Sequence, residues 1–219
     1  MTTPHSQQTH SERLLASATD VWQAMQEHRF VVDIERDRLP ADAFARYLSY
    51  EGRFVETAMA IFGYALVKAD TIAHKHWLIG VLHALSTEQV PYFEHTLAAL
   101  DLPPSYDDVP LPAAVSAFDS GMLDIARNGS YEEVIVSMLA AEWMYGTWCT
   151  RANRTPANNP FVREWVALHA EPTFLGQVQW LRAQVDGWSA QRFDFERSSA
   201  IFRKVLALEI DFHSAAYDA

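Results

Sequence analysis

Three carboxylates stand on helix faces that are otherwise apolar or aromatic: Glu51, Glu142 and Glu209. A buried carboxylate costs free energy unless it is hydrogen-bonded or coordinated, so each needs a reason. Glu142 lies in the run from Met138 to Tyr145, and Tyr145 and Cys149 project from its face three and seven residues on. A carboxyl among aromatic rings has its charged form desolvated and its pKa raised, as general acid–base catalysis requires. The same placement suits a structural carboxylate bonded to a tyrosine or arginine across a helix bundle. Glu209 has Val205, Leu206 and Leu208 beside it and His213 one turn on, an i,i+4 pair that reads as a solvated contact. Glu51 has Tyr47 and Phe54 close by. His169 falls on the Trp165 side of its helix, where a satisfied core histidine is expected. Cys149 lies roughly 10 Å along the axis from Glu142 and reads as a buried structural thiol, not a nucleophile.

No Gly-rich phosphate loop, Gly-x-Ser-x-Gly elbow or His-Glu-x-x-His motif is present. The 219 residues are 49% hydrophobic and 21% charged, a balance that rules out wholesale disorder. A net charge of −11, with only three lysines and no basic cluster, argues against nucleic acid and anionic membrane surfaces as partners. The single cysteine excludes an intramolecular disulfide framework and a Cys-rich zinc site. Residues 1–10 read as a flexible polar tail with no apolar core of a signal peptide, and no apolar run reaches the roughly 20 residues of a membrane span. A cytoplasmic location is expected, which makes the glycosylation patterns at Asn128 and Asn153 chance matches.

The elements that must position these groups are helices. Eight glycines in the chain are few, no Asn-Gly or Asp-Gly hairpin turn separates alternating runs, and apolar residues recur every three or four positions. Helices are expected over Ser11 to Arg29, Asp42 to Lys68, Thr71 to Leu100 with a break at Pro91, and Ala113 to Arg127. Further helices run from Ser130 to about Ala152 behind a Ser130/Glu133 capping box, from Pro160 to about Trp188 with an interruption at Pro172, and from Phe195 to Tyr217. The prolines at 103, 104, 110 and 112 make the longest irregular link. The expectation is one all-α domain over residues 11–219, a single bundle of about eight helices.

In order and spacing, these segments resemble the TenA/thiaminase II family, whose fold is the haem-oxygenase-like helical bundle. The likeness runs from His28-Arg-Phe30 and Leu39-Pro40 through Phe44, Tyr47, Leu48 and Glu51. It continues with Gly129, Tyr145 and Trp165, and closes on Glu209, Phe212 and Tyr217. The resemblance implies a pocket that binds and hydrolyses a small molecule, an aminopyrimidine from thiamin or its breakdown, without a cofactor or metal. It also implies a homodimer or homotetramer. In the family an Asp binds the pyrimidine, tyrosines stack on it, a Cys attacks the ring and a Glu near the C-terminus moves protons. Here Glu51 takes the Asp position, Phe54, Phe118 and His169 stand for stacking tyrosines, and Tyr145 is kept with Tyr47 nearby. The nucleophile position is Ala141, so thiolate addition is not supported. The resemblance is to the branch that carries a Glu instead, which implies Glu142, Glu209 and Glu51 as the catalytic carboxylates.

Two alternatives remain. Some haem-oxygenase-like proteins are di-iron oxidases, and Glu88, His95, Glu142 and His169 match four of their six ligands, with Thr173 and Gly176 at the last two. The other alternative is a homologue that binds a small molecule without turning it over.

Overall fold

The computed structural model describes residues 8–102 and 111–218, so most of the expected tail and the prolines at 103, 104 and 110 lie outside the described residues. The described residues contain α-helices and no strand: α1 (His10–Ser17), α2 (Thr19–Gln26), α3 (Arg29–Glu35), α4 (Ala41–Lys68), α5 (Ile72–Ala84), a π turn (Leu85–Gln89), α6 (Val90–Ala99), α7 (Ala113–Asn128), α8 (Tyr131–Ala152), α9 (Pro160–Leu168), α10 (Pro172–Asp186) and α11 (Phe195–Ala215). None of these helices is long and apolar enough to cross a membrane.

Side chains fix the helix starts. Ser130 and Glu133 form the expected capping box on α8, and Thr9 and Glu12 form another on α1, which starts at His10, the last residue of the stretch expected to be tail. Asn159 caps α9 with Pro160 at its first turn, and Pro172 opens α10. The single helix expected over Ser11 to Arg29 is instead broken twice. Ala18 leaves helical geometry at φ −119°, ψ 18°. Farther on, the His28 ring accepts the Phe30 N–H and so starts α3. Pro91 has its effect upstream: a π turn precedes it, and Ser86 and Thr87 hydroxyls both donate to the His83 carbonyl.

The core forms around α8, which buries Trp148, Met144 and Leu139 against α9, α10 and α11. Trp148 and Trp165 stack at 5.5 Å, and Phe30, Phe44, Phe118, Phe202 and Phe212 fill the rest. Gly146 lets α10 approach α8 closely: a Cβ there would meet Leu175 at 3.1 Å and Val178 at 3.4 Å. The chain end is pinned by Tyr217, whose hydroxyl donates to buried Asp33 at 2.9 Å. At the end of α4, Lys68 donates to the Ala126 and Arg127 carbonyls, 2.6 and 3.1 Å away, at the C-terminus of α7. These ties set the helices that carry the three carboxyls.

Candidate active site

Helices α4, α5, α7, α8, α10 and α11 enclose a cavity of about 90 Å³. Glu51 and Phe54 enter from α4, Phe118 from α7, Glu142 and Tyr145 from α8, Glu209 from α11, and His169 from the end of α9. Seven of the eight residues expected at a site are thus brought together. Tyr47 is the eighth, and it does not line the cavity: fully buried, it stands behind Tyr145 with the hydroxyls 2.9 Å apart. Ala141, which the resemblance sets at the nucleophile position, is in the wall. Cys149 is fully buried away from the lining, and burial pushes its thiol pKa up, in keeping with a packing role.

The polar centre of the site is the Tyr145 hydroxyl. It lies 3.5 Å from Glu51 Oε2, 3.4 Å from Glu209 Oε2 and 3.4 Å from His213 Nε2. The expectation of a solvated Glu209–His213 pair is overturned: exposure is 1% for Glu209 and 0% for His213. The reason is packing, because α11 lies against α8, α7 and α3 and turns both side chains inward.

Burial raises all three carboxyl pKa values. Desolvation takes Glu142 up to about 8, against a Gln177 hydrogen bond that favours its charged form. Glu51 rises to about 7 from burial, with Tyr47 and Tyr145 hydrogen bonds opposing and the Asp119 charge adding. Glu209 is pushed well up by burial and by the charges of Glu51 and Glu142. Glu142 Oε2 and Glu209 Oε1 are buried without a hydrogen-bond partner. An unpartnered oxygen tolerates a protonated carboxyl far better than a carboxylate.

Aromatic groups form the walls. Phe54 and Phe118 lie 4.6 Å apart, and His169 lies 4.2 Å from Trp165 and 4.9 Å from Phe174. His169 Nδ1 is 2.8 Å from the Trp165 carbonyl, so it carries the proton and Nε2 is left as an acceptor. Burial takes its pKa down to about 4 and keeps the ring neutral. A second cavity of about 140 Å³ shares Glu51, Ala84, Gln89, His169, Phe174 and Gln177 with the first and opens toward exposed Glu88, Glu171 and Thr173.

The sequence reading missed Gln177, Phe174 and Gln89. A signal for the first two exists: Phe174, Gln177 and Leu181 share one face of α10, which places an amide in an apolar stripe. Gln89 had none, because its direction depends on the π turn. The four residues proposed for iron do not come together: His95 is exposed on α6 and Glu88 is at the outer cavity. Among the described residues no three His, Cys, Asp or Glu side chains are grouped to hold a metal ion.

A family model described as TENA/THI-4/PQQC family matches residues 15–219. An aminopyrimidine aminohydrolase of Halalkalibacterium halodurans is 23% identical over 210 residues, 94% of each chain. The solved TenA homologue from P. horikoshii OT3 superposes with a TM-score of 0.86 at 22% identity, covering 96% of this chain and 99% of its own. A TenA homologue from Pyrococcus furiosus gives 0.84 at 17% identity, with 95% and 100% covered. At these identities the superpositions show the shared haem-oxygenase-like all-α fold.

Proposed function

This chain belongs to the TENA/THI-4/PQQC family, and from that premise we propose that it is a hydrolase that cleaves a C–N bond of an aminopyrimidine or a related thiamin-breakdown product. The observation that carries the reading is the convergence of Glu51, Glu142 and Glu209 on one aromatic-walled cavity. The aminohydrolase name of a relative matched over 94% of the chain supports the same substrate class.

The carboxyls divide the proton work by environment. Glu142, with its pKa near 8, is still protonated at neutral pH and is the general acid. Glu51 and Glu209 both reach the Tyr145 hydroxyl, so they titrate as a coupled pair that holds one proton and releases the other. The ionised member is the general base and takes a proton from water. The water oxygen bonds to the amine-bearing carbon, the C–N bond breaks with its electron pair on nitrogen, and Glu142 protonates the departing amine. The products are an alcohol and a free amine, and proton exchange with solvent resets the carboxyls. Phe54, Phe118 and Tyr145 offer faces for the ring, and His169 Nε2 accepts a hydrogen bond from an amino substituent. In place of Cys attack, the carboxyls activate water directly.

The test is amine release from a panel of aminopyrimidines, with and without a chelator. Turnover that survives chelation supports the hydrolase. Stoichiometric iron with activity lost on its removal favours the oxidase, and tight binding without turnover across the panel favours the non-catalytic binder.

A further inference from the structure

His213 lies outside the cavity lining, yet its ring contacts the polar centre. Its Nδ1 is 2.7 Å from the Glu209 backbone carbonyl, which can only accept, so Nδ1 carries the proton and Nε2 a lone pair. Among the described residues the donor within reach of that lone pair is Tyr145, at 3.4 Å. The Tyr145 hydroxyl has a single proton and four neighbours: Tyr47, Glu51, Glu209 and His213. Three of these can donate or accept, depending on rotation or protonation. Only His213 Nε2 is restricted to accepting. Turning the Tyr145 proton toward any of the other three strands a buried lone pair, which costs the desolvation of that atom.

We propose that His213 is the positioning residue of this site: its Nε2 lone pair holds the Tyr145 proton away from the carboxyls, so that the Tyr145 oxygen accepts from the Glu51/Glu209 pair and keeps one proton on it. Tyr47 donates its own proton to the Tyr145 oxygen 2.9 Å away, and the other carboxyl of the pair is then free to ionise. The inference deepens the hydrolase reading and rests on it for its catalytic meaning, though the hydrogen-bond geometry stands without it.

The surrounding groups agree. Facing His213 are His28 at the start of α3, Tyr47 on α4, Tyr145 on α8 and Glu209 on its own helix; the rings of His28 and His213 are 6.0 Å apart. Burial, against the opposing hydrogen bond to the Glu209 backbone, takes His213 down to about 3, so the ring is neutral at working pH. Burial lowers the pKa of His28 as well, and its Nδ1 accepts the Phe30 N–H while its Nε2 meets Ser214 Oγ at 3.0 Å. Around the carboxyl pair stand Asp119 on α7, with Arg53 opposing its charge, and Glu142 on α8.

Two measurements that need no substrate test this, so a failure to find turnover sinks the hydrolase reading alone. Nitrogen-15 NMR of the histidine-labelled native protein should show His213 with Nδ1–H and a free Nε2 lone pair from about pH 6 to about pH 8. An Nε2–H tautomer or an imidazolium there overturns the proposal. The second measurement follows the infrared band of protonated carboxyls in Glu142→Gln, where the pair is isolated from Glu142. Adding His213→Leu turns the Tyr145 proton onto a carboxylate and should lower the upper midpoint by about one pH unit, while His213→Gln, whose amide oxygen still accepts, should restore it. A midpoint that stays put in folded His213→Leu, as a purely structural role requires, contradicts the proposal. If the Leu variant does not fold, the native tautomer decides.

Discussion

The hydroxyl oxygens of Tyr47 and Tyr145 lie 2.9 Å apart and join α4 to α8 beneath the cavity. Tyr47 is fully enclosed and does not line the cavity, so it acts on the site through Tyr145 and Glu51. Tyr47→Phe should therefore lower stability by about 1 kcal/mol, one net hydrogen bond, in chemical denaturation. Ligand affinity should stay close to wild type in a calorimetric titration. A large affinity loss without a stability change would place Tyr47 in contact with substrate.

The pH–rate profile follows from the carboxyl environments. The base of the Glu51/Glu209 pair must be ionised and Glu142 protonated. With Glu51 near 7 and Glu142 near 8, kcat/KM should climb as pH rises toward about 7 and fall beyond about 8. A profile flat across both limbs would remove the carboxyls from the rate-limiting step.

Stability should carry the opposite signature from acid denaturation. Glu142 is raised from 4.5 to about 8 on folding, so between those values the folded state binds more protons than the unfolded one. Its contribution is fully present below 4.5 and is lost as pH rises through about 8. The Tm of wild type should fall over that window, and that of Glu142→Gln should fall less. Parallel curves for the two proteins would contradict the raised pKa.

Much of this was legible because local rules and tertiary demands coincide. Ser130 and Glu133 announce α8, Pro160 and Pro172 announce α9 and α10, and Glu142 and Tyr145 share a face through helical spacing alone. What was illegible depends on which neighbour a face meets. An i,i+4 Glu–His pair looks the same solvated or buried, and only the packing of α11 shows that Glu209 and His213 are enclosed. Ala18 ends α1 with no glycine or proline to signal it, and the π turn that aims Gln89 at the cavity answers a proline two residues beyond it.

Lys68 tests the frame that holds Phe118. Its ammonium donates to the Ala126, Arg127 and Gly129 carbonyls at the end of α7. Lys68→Met keeps most of the stem and removes the charge at the helix C-terminus, and should cost about 2 kcal/mol in denaturant unfolding. An unchanged midpoint would mean that water satisfies those carbonyls equally well.

Turnover by Glu142→Gln, measured beside Cys149→Ser as amine release from an aminopyrimidine that wild type cleaves, tests the central claim most directly. Gln keeps the volume and removes the transferable proton, so the rate should fall by roughly 10²–10⁴-fold with binding little changed. Cys149, buried and outside the cavity lining, should be replaceable by Ser with the rate nearly intact. Near-normal turnover in Glu142→Gln together with its loss in Cys149→Ser would contradict carboxyl catalysis and make the thiol the reacting group.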